Sequence, residues 1–423
     1  MLESSMSPDV NPLMLVFWAS IGGLVYHYVG YPVAIWAFAR VFGRERYCPE
    51  RHPSDLPFVS VLVSALNEED VIRERVQNAL TTDYPADKFE FVVASDGSTD
   101  RTAEIVRSFS DPRVKLLDFR VRRGKALVLN EVIPALRGDV VVLSDANTSI
   151  EAPVVRRIVR WLTEPDVGAV VGRLVLTDPA SGKNVDGVYW RYETFLKQCE
   201  ARLGALLGAN GAIYGFRRDL FVPLPTDTLV DDFVLPLLMK LRSRCSLIYD
   251  TESVAHEEAP TQLGSEFKRR SRIGAGGFSS LKVLWPLVLP VHGWTAFAFV
   301  SHKLLRWICP ILMLGALVSN LFLLDRPFYV LTLAAQVLFY AAAVAGATLQ
   351  GSSAPIKMLR LATLFTSVNV ALAIGFWRWL LGQRGATWQR TARSSPSASL
   401  SAPSGETPHR AADPNEADMT LRV

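Results

Sequence analysis

Three short acidic stretches dominate the chemistry this chain can offer. Ser95-Asp96-Gly97-Ser98-Thr99-Asp100-Arg101-Thr102 closes an apolar run over 89–95, and Ser144-Asp145-Ala146-Asn147 closes a second over 139–143. Asp231-Asp232 then precedes a helical pattern over 233–241. Parallel α/β sheets bind ligands just beyond the carboxyl ends of their strands, so aspartates at two such ends can face one ligand. Carboxylates in that position suit a metal-held diphosphate beside a ribose and a base.

Each stretch also has a plainer structural reading. Asp96-Gly97 makes a tight turn, and Ser98 or Thr99 can cap the helix that starts near Asp100. The functional alternative makes Asp96 the acceptor for a ring imide N–H such as that of uracil, with Gly97 admitting close backbone approach. Asn67-Glu68-Glu69 is either a capped helix start or a ribose or base contact. Asp145-Ala146-Asn147 is either an Asx turn or a pair of oxygen ligands for Mg²⁺ or Mn²⁺. Asp231-Asp232 is either a helix cap or a general base, whose pKa a neighbouring carboxylate would raise. Gly124-Lys125 opens a helix after Arg120, Arg122 and Arg123; it lacks the full phosphate-loop pattern, but its lysine and helix start would attract phosphate. Lys268-Arg269-Arg270-Ser271-Arg272 is either a basic face on anionic lipid or a clamp for a leaving diphosphate.

The elements that must position these groups can be read from hydrophobic periodicity. Strand and helix patterns alternate over 58–260: strands at 58–66, 89–95, 114–117 and 140–144, with helices at 68–80, 100–109, 126–136 and 152–162. Such alternation predicts an α/β domain with a mostly parallel sheet and helices on both faces. Around it the composition changes. Hydrophobic residues make up 49% of the chain and are concentrated in uncharged runs at 13–39, 307–324, 328–349 and 361–377, the last span closing near 381. Each is about long enough to cross a hydrocarbon layer of roughly 30 Å. Residues 1–43 therefore read as an uncleaved membrane anchor and 44–57 as a linker. Residues 261–306 read as amphipathic and interfacial, because a span over 283–302 would put Lys303 and Arg306 on the wrong side. Residues 307–381 read as three further spans, and 382–423 as a disordered tail rich in Ser, Ala, Pro and Arg.

Glu3 and Asp9 precede the first span, and Arg40, Arg44, Arg46 and Arg51 follow it, so the positive-inside rule puts the α/β domain in the cytoplasm, in a plasma or bacterial inner membrane. The net charge of +4 is small and its basic residues are scattered, which argues against a nucleic-acid partner. Cys48, Cys199, Cys245 and Cys309 have no metal spacing and read as thiols in a reducing compartment.

Taken in order between the spans, this set resembles the membrane-integrated family-2 glycosyltransferases, relatives of cellulose, hyaluronan and poly-N-acetylglucosamine synthases. The resemblance runs over about 56–381. It implies a GT-A type, Rossmann-like nucleotide-sugar domain on the cytoplasmic face and an inverting transfer, from an NDP-sugar and most simply a UDP-sugar, to a glycan or lipid-linked acceptor. Ser64-Ala65-Leu66-Asn67-Glu68-Glu69 matches the family's first-strand motif, Asp96 its uridine-binding aspartate, and Lys125 its basic residue near the nucleotide. Asp145-Ala146-Asn147 matches the Asp-x-Asp metal position, and Asp231-Asp232 the acidic pair whose second member is the base. Arg269-Arg270-Ser271-Arg272-Ile273 matches a Gln-x-x-Arg-Trp segment and is followed by Gly276-Gly277. Asn147, Arg269 and Ile273 depart from that pattern. The departures imply a weaker ion site and, without the tryptophan that stacks on the acceptor sugar, single transfer or short products; Phe278 is a candidate replacement surface. The implied partners are the donor, the acceptor, membrane lipid, and an export partner or a second copy of the chain. The alternatives are a single transfer onto a polyprenyl or other lipid carrier, and a non-catalytic nucleotide-sugar-sensing scaffold.

Overall fold

β-branched and aromatic residues at successive positions of 59–65 and 89–96 give strands that are buried on both faces, as the inner strands of a parallel sheet must be. The computed structural model describes residues 11–178, 184, 187–259, 263–349, 351 and 353–382. Within them β1 (Val59–Ala65), β2 (Phe89–Asp96), β3 (Val114–Phe119), β4 (Val140–Leu143), β5 (Ser149–Ile150), β6 (Val167–Thr177), β7 (Tyr214–Arg217) and β8 (Ser246–Glu258) form one sheet in the order β3-β2-β1-β4-β7-β6-β8-β5. The β3-β2-β1-β4 half is parallel throughout. Its helices are α2 (Ile72–Leu80), α3 (Thr102–Arg107), α4 (Lys125–Ala135) and α5 (Val154–Leu162).

The period-2 pattern divides the core. Val61, Val63, Phe91 and Val93 pack with α2, α3 and α5 on one face. Leu62, Val92 and Ala94 face α4 on the other. Each large apolar side chain so buried contributes about 1.5–3 kcal/mol. The α4 face does not end at the domain. It continues into Phe278, Phe299, Trp307, Val368 and Leu372, which belong to the helices beyond the sheet.

Beyond β4 the regular alternation stops. β7 runs antiparallel to both β4 and β6, while β6 and β8 pair in parallel. This has a positional consequence. Leu143, the last residue of β4, pairs with Tyr214, the first of β7. The loop leading into β7 therefore arrives at the strand end that carries Asp145. Two more helices complete the domain, α6 (Val188–Arg202) and α7 (Asp231–Ser243).

Long helices follow. α8 (Leu263–Leu284) lies between the domain and α9 (Trp294–Leu321), α10 (Pro327–Thr348) and α11 (Ala354–Leu380). With α1 (Pro12–Phe42), which carries a π-helical turn at Tyr26–Gly30, they make four helices among the described residues long and apolar enough to cross a membrane. Leu331, Leu338 and Val344 are largely exposed on α10, as lipid-facing side chains are. Between helices, Asn369 Nδ2 donates to the Tyr28 hydroxyl at 3.1 Å, tying α11 to α1.

The second span differs from the sequence expectation. The interfacial layer assigned to 261–306 gives way at Trp294, where α9 begins, and only the short 3₁₀ turns at Trp285–Val288 and Pro290–His292 remain of the broken segment. By charge alone, Lys303 and Arg306 argue for a later start. They are accommodated because they turn toward the domain: Arg306 pairs with Glu193 of α6, and the Lys303 ammonium sits 6.0 Å from the centre of the Phe233 ring. Residues 1–10, with Glu3 and Asp9, and the tail beyond Gly382 lie outside the described residues.

Candidate active site

The loops after β1 and β2 are locked to each other by side chains that bond backbone. Asn67 takes the left-handed conformation, φ 56°, which Asn tolerates better than most residues. Its Oδ1 accepts the Thr99 N–H at 2.8 Å, and its own N–H donates to Ser98 Oγ at 3.1 Å. The Glu68 N–H donates to Thr102 Oγ1 at 2.8 Å, and the Glu69 N–H to Asp100 Oδ2 at 3.1 Å. Glu68 itself is buried.

Asp96 is buried, and both of its oxygens accept backbone N–H groups: Arg123 at 2.7 Å and Gly124 at 2.8 Å. In this structure the carboxylate therefore holds the turn that starts α4 and presents Lys125. Gly97 has φ 70°, and a Cβ there would lie 2.6 Å from the Arg122 backbone nitrogen. Gly97→Ala combines strain with backbone overlap and is expected to destabilise the domain by about 1–3 kcal/mol. Thermal unfolding measures it; an unchanged midpoint would show that the two loops can part freely.

Lys125 reaches from the first turn of α4 into the acidic groups. Its Nζ lies 3.2 Å from Asp145 Oδ1 and 3.2 Å from Asp231 Oδ2. The second contact is electrostatic only, because Asp231 Oδ2 is buried without a hydrogen-bond donor in bonding geometry. Burial opposes the ammonium, but Asp145, Asp231 and Asp232 together raise its pKa above the ordinary lysine value. Asp232 has the reverse balance. Burial first and the Asp231 charge second push its carboxyl up to about 6, against the lowering effect of Lys125 and Lys197. The loop into β7 closes the group from above, since a Cβ at Gly211 would stand 2.5 Å from Asp145 Oδ2.

The three arginines grouped by sequence reasoning all lie on α8. Arg269 and Arg270 both bind Glu266, at 2.8 and 2.7 Å. Arg272 feels the charges of Asp232, Asp145 and Asp231, and burial lowers its pKa nonetheless. What places it is close packing by α8. A Cβ at Gly375 of α11 would meet the Ser271 carbonyl at 2.7 Å, one at Gly276 would meet Val230 at 3.0 Å, and one at Gly277 would meet Trp307 at 2.7 Å. Glycines 276 and 277 thus let α8 lie against the residue before Asp231 and against α9.

Two side chains act differently from the sequence expectation. Phe278 offers no open face to an acceptor, because it is buried among Trp307, Phe376 and Trp379, with ring centres at 5.0–5.8 Å. Ile273 is exposed. Sequence reasoning also missed Arg75 of α2, a fully buried guanidinium within electrostatic range of Asp145. Burial lowers it to about 10; it stacks at 5.1 Å on Phe91 and donates to Asn78 Oδ1 at 3.3 Å, and its Nε and Nη2 find no acceptor. Nothing in an amphipathic helix pattern distinguishes such an arginine from a solvated one.

Asn147 is half-buried in the turn after Asp145. Among the described residues no three His, Cys, Asp or Glu side chains form a metal-binding group. A hard ion that keeps waters and takes substrate phosphates needs only one or two carboxylates, however, and Asp145 with the Asn147 carbonyl oxygen fits that donor set.

Residues 60–221 match the family described as Glycosyl transferase family 2. The beta-monoglucosyldiacylglycerol synthase of Nostoc sp. is 27% identical over 290 residues, covering 66% of this chain and 60% of that protein. The poly-beta-1,6-N-acetyl-D-glucosamine synthase of Staphylococcus epidermidis is 25% identical over 284 residues, covering 65% of this chain and 66% of that protein. The chain therefore spans less than two thirds of the length of these relatives. Among solved structures, the mannosyltransferase PcManGT of Pyrobaculum calidifontis, in complex with GDP-Man and Mn²⁺, shares the fold. Its TM-score is 0.61 at 22% identity, covering 88% of this chain and 99% of that one.

Proposed function

The chain carries a glycosyl transferase family 2 domain, and we propose that it moves a sugar from a nucleotide-sugar to a hydroxyl of a glycan or lipid-linked acceptor at the membrane, with inversion. The observation that carries this reading is Asp232, a half-buried carboxyl raised toward neutrality beside a lysine bridged to two more aspartates. A carboxylate of that kind is suited to take a proton from an attacking hydroxyl. In the reaction the acceptor oxygen bonds to the anomeric carbon from the face opposite the diphosphate. Asp232 receives its proton, the bond from that carbon to the diphosphate breaks, and the nucleoside diphosphate leaves. Lys125 and Arg272 stabilise the charge that develops on it. Asp231 keeps the Asp232 carboxyl basic, while Asn67, Glu68, Asp96 and Gly97 shape the nucleoside pocket, with the remaining Asp96 lone pairs accepting the imide N–H of uracil. Asp145 and Asn147 would hold Mg²⁺ or Mn²⁺, which supplies Lewis-acid stabilisation of the diphosphate when bound. Arg40, Arg44, Arg46 and Arg51 after the first span put the domain on the cytoplasmic side of a plasma or bacterial inner membrane.

Nucleotide release by the purified full chain, with UDP-glucose, UDP-N-acetylglucosamine and GDP-mannose compared in the presence of membrane lipid, tests the reading. Release with a UDP-sugar and a glycosylated product by mass analysis are expected; GDP-mannose alone being consumed would overturn the uridine assignment of Asp96. The ion site has its own check. Asn147→Asp adds a charge beside Asp145 and should tighten Mn²⁺ binding on the order of tenfold, about 1.4 kcal/mol. Calorimetry without any donor reads it, and an unchanged affinity would remove Asn147 from the ion site.

A further inference from the structure

Asp232 is the second residue of α7, and segments far from it in the chain fix its backbone. The Ala209 N–H donates to the Asp232 carbonyl at 2.8 Å. Gly208, at φ 80°, lies so near that a Cβ there would stand 3.0 Å from Phe233 Cα and 3.3 Å from the Asp232 carbonyl oxygen. Gly276 of α8 closes on Val230, two residues before the carboxyl. A further contact is aromatic. Phe233 stacks on Phe299 at 6.4 Å with the ring planes 10° apart, and it meets Trp307 edge-on at 6.1 Å. Phe299 and Trp307 meet edge-on at 6.2 Å, so the three rings close a triangle.

Phe299 and Trp307 belong to α9, a helix long and apolar enough to cross a membrane. Phe299 is fully buried and opens a π-helical turn over Phe299–Leu304. Such turns are frequent at functional sites. This one is held by two other helices. The Ser301 carbonyl accepts from His27 Nδ1 at 3.0 Å, and Ser301 Oγ lies 2.9 Å from the Tyr26 hydroxyl, both on the π-helical turn of α1. His302 Nδ1 lies 2.6 Å from Glu200 Oε1, and Arg306 pairs with Glu193, both acids on α6. The seat offered to Phe233 is therefore rigid. Consecutive helical residues stand about 100° apart around the axis, so fixing the direction of Phe233 fixes that of Asp232. A general base must meet its hydroxyl within hydrogen-bond reach, and a misplacement of about 1 Å costs about 10²-fold.

We infer that Phe233 is a positioning residue for the general base, seated by Phe299 and Trp307, so that a membrane-spanning helix sets the direction from which Asp232 meets the acceptor hydroxyl. The inference rests on the transferase reading above and adds three residues to it. None of the three rings touches a reacting atom. They act through the Asp232 carboxylate alone, and Gly277 of α8 leaves the space that Trp307 fills.

The test reads nucleotide release by the full chain in nanodiscs of total bacterial polar lipid, with UDP-glucose, UDP-N-acetylglucosamine and GDP-mannose each supplied as donor. Phe233→Leu and Phe299→Leu should each lower kcat by about 10- to 100-fold, leaving the donor KM and the calorimetric affinity for UDP unchanged. Phe233→Tyr keeps the ring and should recover most of the rate. Trp307→Phe is a milder change on the α9 side and should show the same pattern with a smaller loss. The decisive arm is the double variant. Adding Phe233→Leu or Trp307→Phe to Asp232→Asn should cost nothing further, because a ring that acts through the carboxylate has no effect once the carboxylate is gone. The same proportional loss in both backgrounds would overturn the inference, since the ring would then serve the fold at large. So would a near-normal kcat in Phe233→Leu, or a fall in UDP affinity that matches the fall in rate. In each of those cases the transferase reading stands. Near-normal turnover of Asp232→Asn overturns the base assignment and this inference with it, and release from none of the three donors overturns the transferase reading itself.

Discussion

Asp232→Asn is expected to slow sugar transfer by about 10²–10⁴-fold, the usual worth of a positioned general base. Donor affinity should barely move, because the nucleoside loops and Lys125 are untouched. The pH dependence gives an independent check. The reactive form is the carboxylate, and its pKa is raised to about 6, so the rate should fall as pH drops through that region and level off above it. The Asp231 charge is one cause of the upward shift. Asp231→Asn should therefore move the acid limb to lower pH while leaving a working base. Calorimetry of nucleoside diphosphate binding together with a pH–rate profile decides the matter. A collapse of binding in Asp232→Asn would make the residue part of the donor site, and near-normal turnover would remove it from catalysis.

Lys125→Met should be the other severe change. The ammonium is the partner shared by Asp145 and Asp231, and it lowers the pKa of Asp232. Without it three carboxylates face one another, with the Arg272 guanidinium on α8 within electrostatic range. Breaking a buried pair from one side costs about 3–5 kcal/mol, and the partial exposure of Asp145 favours the lower end. Loss of a charged donor to the leaving diphosphate should cost a further factor of about 10²–10³ in turnover. The acid limb of the pH–rate profile should move to higher pH, opposite to the Asp231→Asn shift. Lys125→Arg keeps the charge and should recover most of the stability, which separates a folding defect from a catalytic one. A Lys125→Met enzyme with ordinary nucleotide release would show that Arg272 suffices.

Several of these residues are legible in the order of amino acids, for identifiable reasons. Asp96 and Asp145 follow apolar runs with the length and composition of buried strands, and strand ends are where an α/β sheet presents its chemistry. Charge-free stretches at 13–39, 328–349 and 361–377 are long enough to span a bilayer whatever they pack against. Those inferences depend on local periodicity and length alone. The start of the second span is not legible in the same way, because Lys303 and Arg306 look prohibitive in lipid until Glu193 and the Phe233 ring are seen beside them.

The amino-acid sequence by itself determined the α/β class, the apolar runs long enough to span a bilayer, and which carboxylates stand at strand ends. Only the tertiary structure decided how they work together. The antiparallel β7 delivers Gly211 against Asp145, and the turn held by Asp96 aims Lys125 at both Asp145 and Asp231. Close packing of α8 brings Arg272 within electrostatic range of the same aspartates, and Arg306 and His302 of α9 meet Glu193 and Glu200 of α6. Each of these is a contact between segments far apart in the chain. Its energy depends on burial and on charges brought within a few ångströms, and no local pattern encodes either.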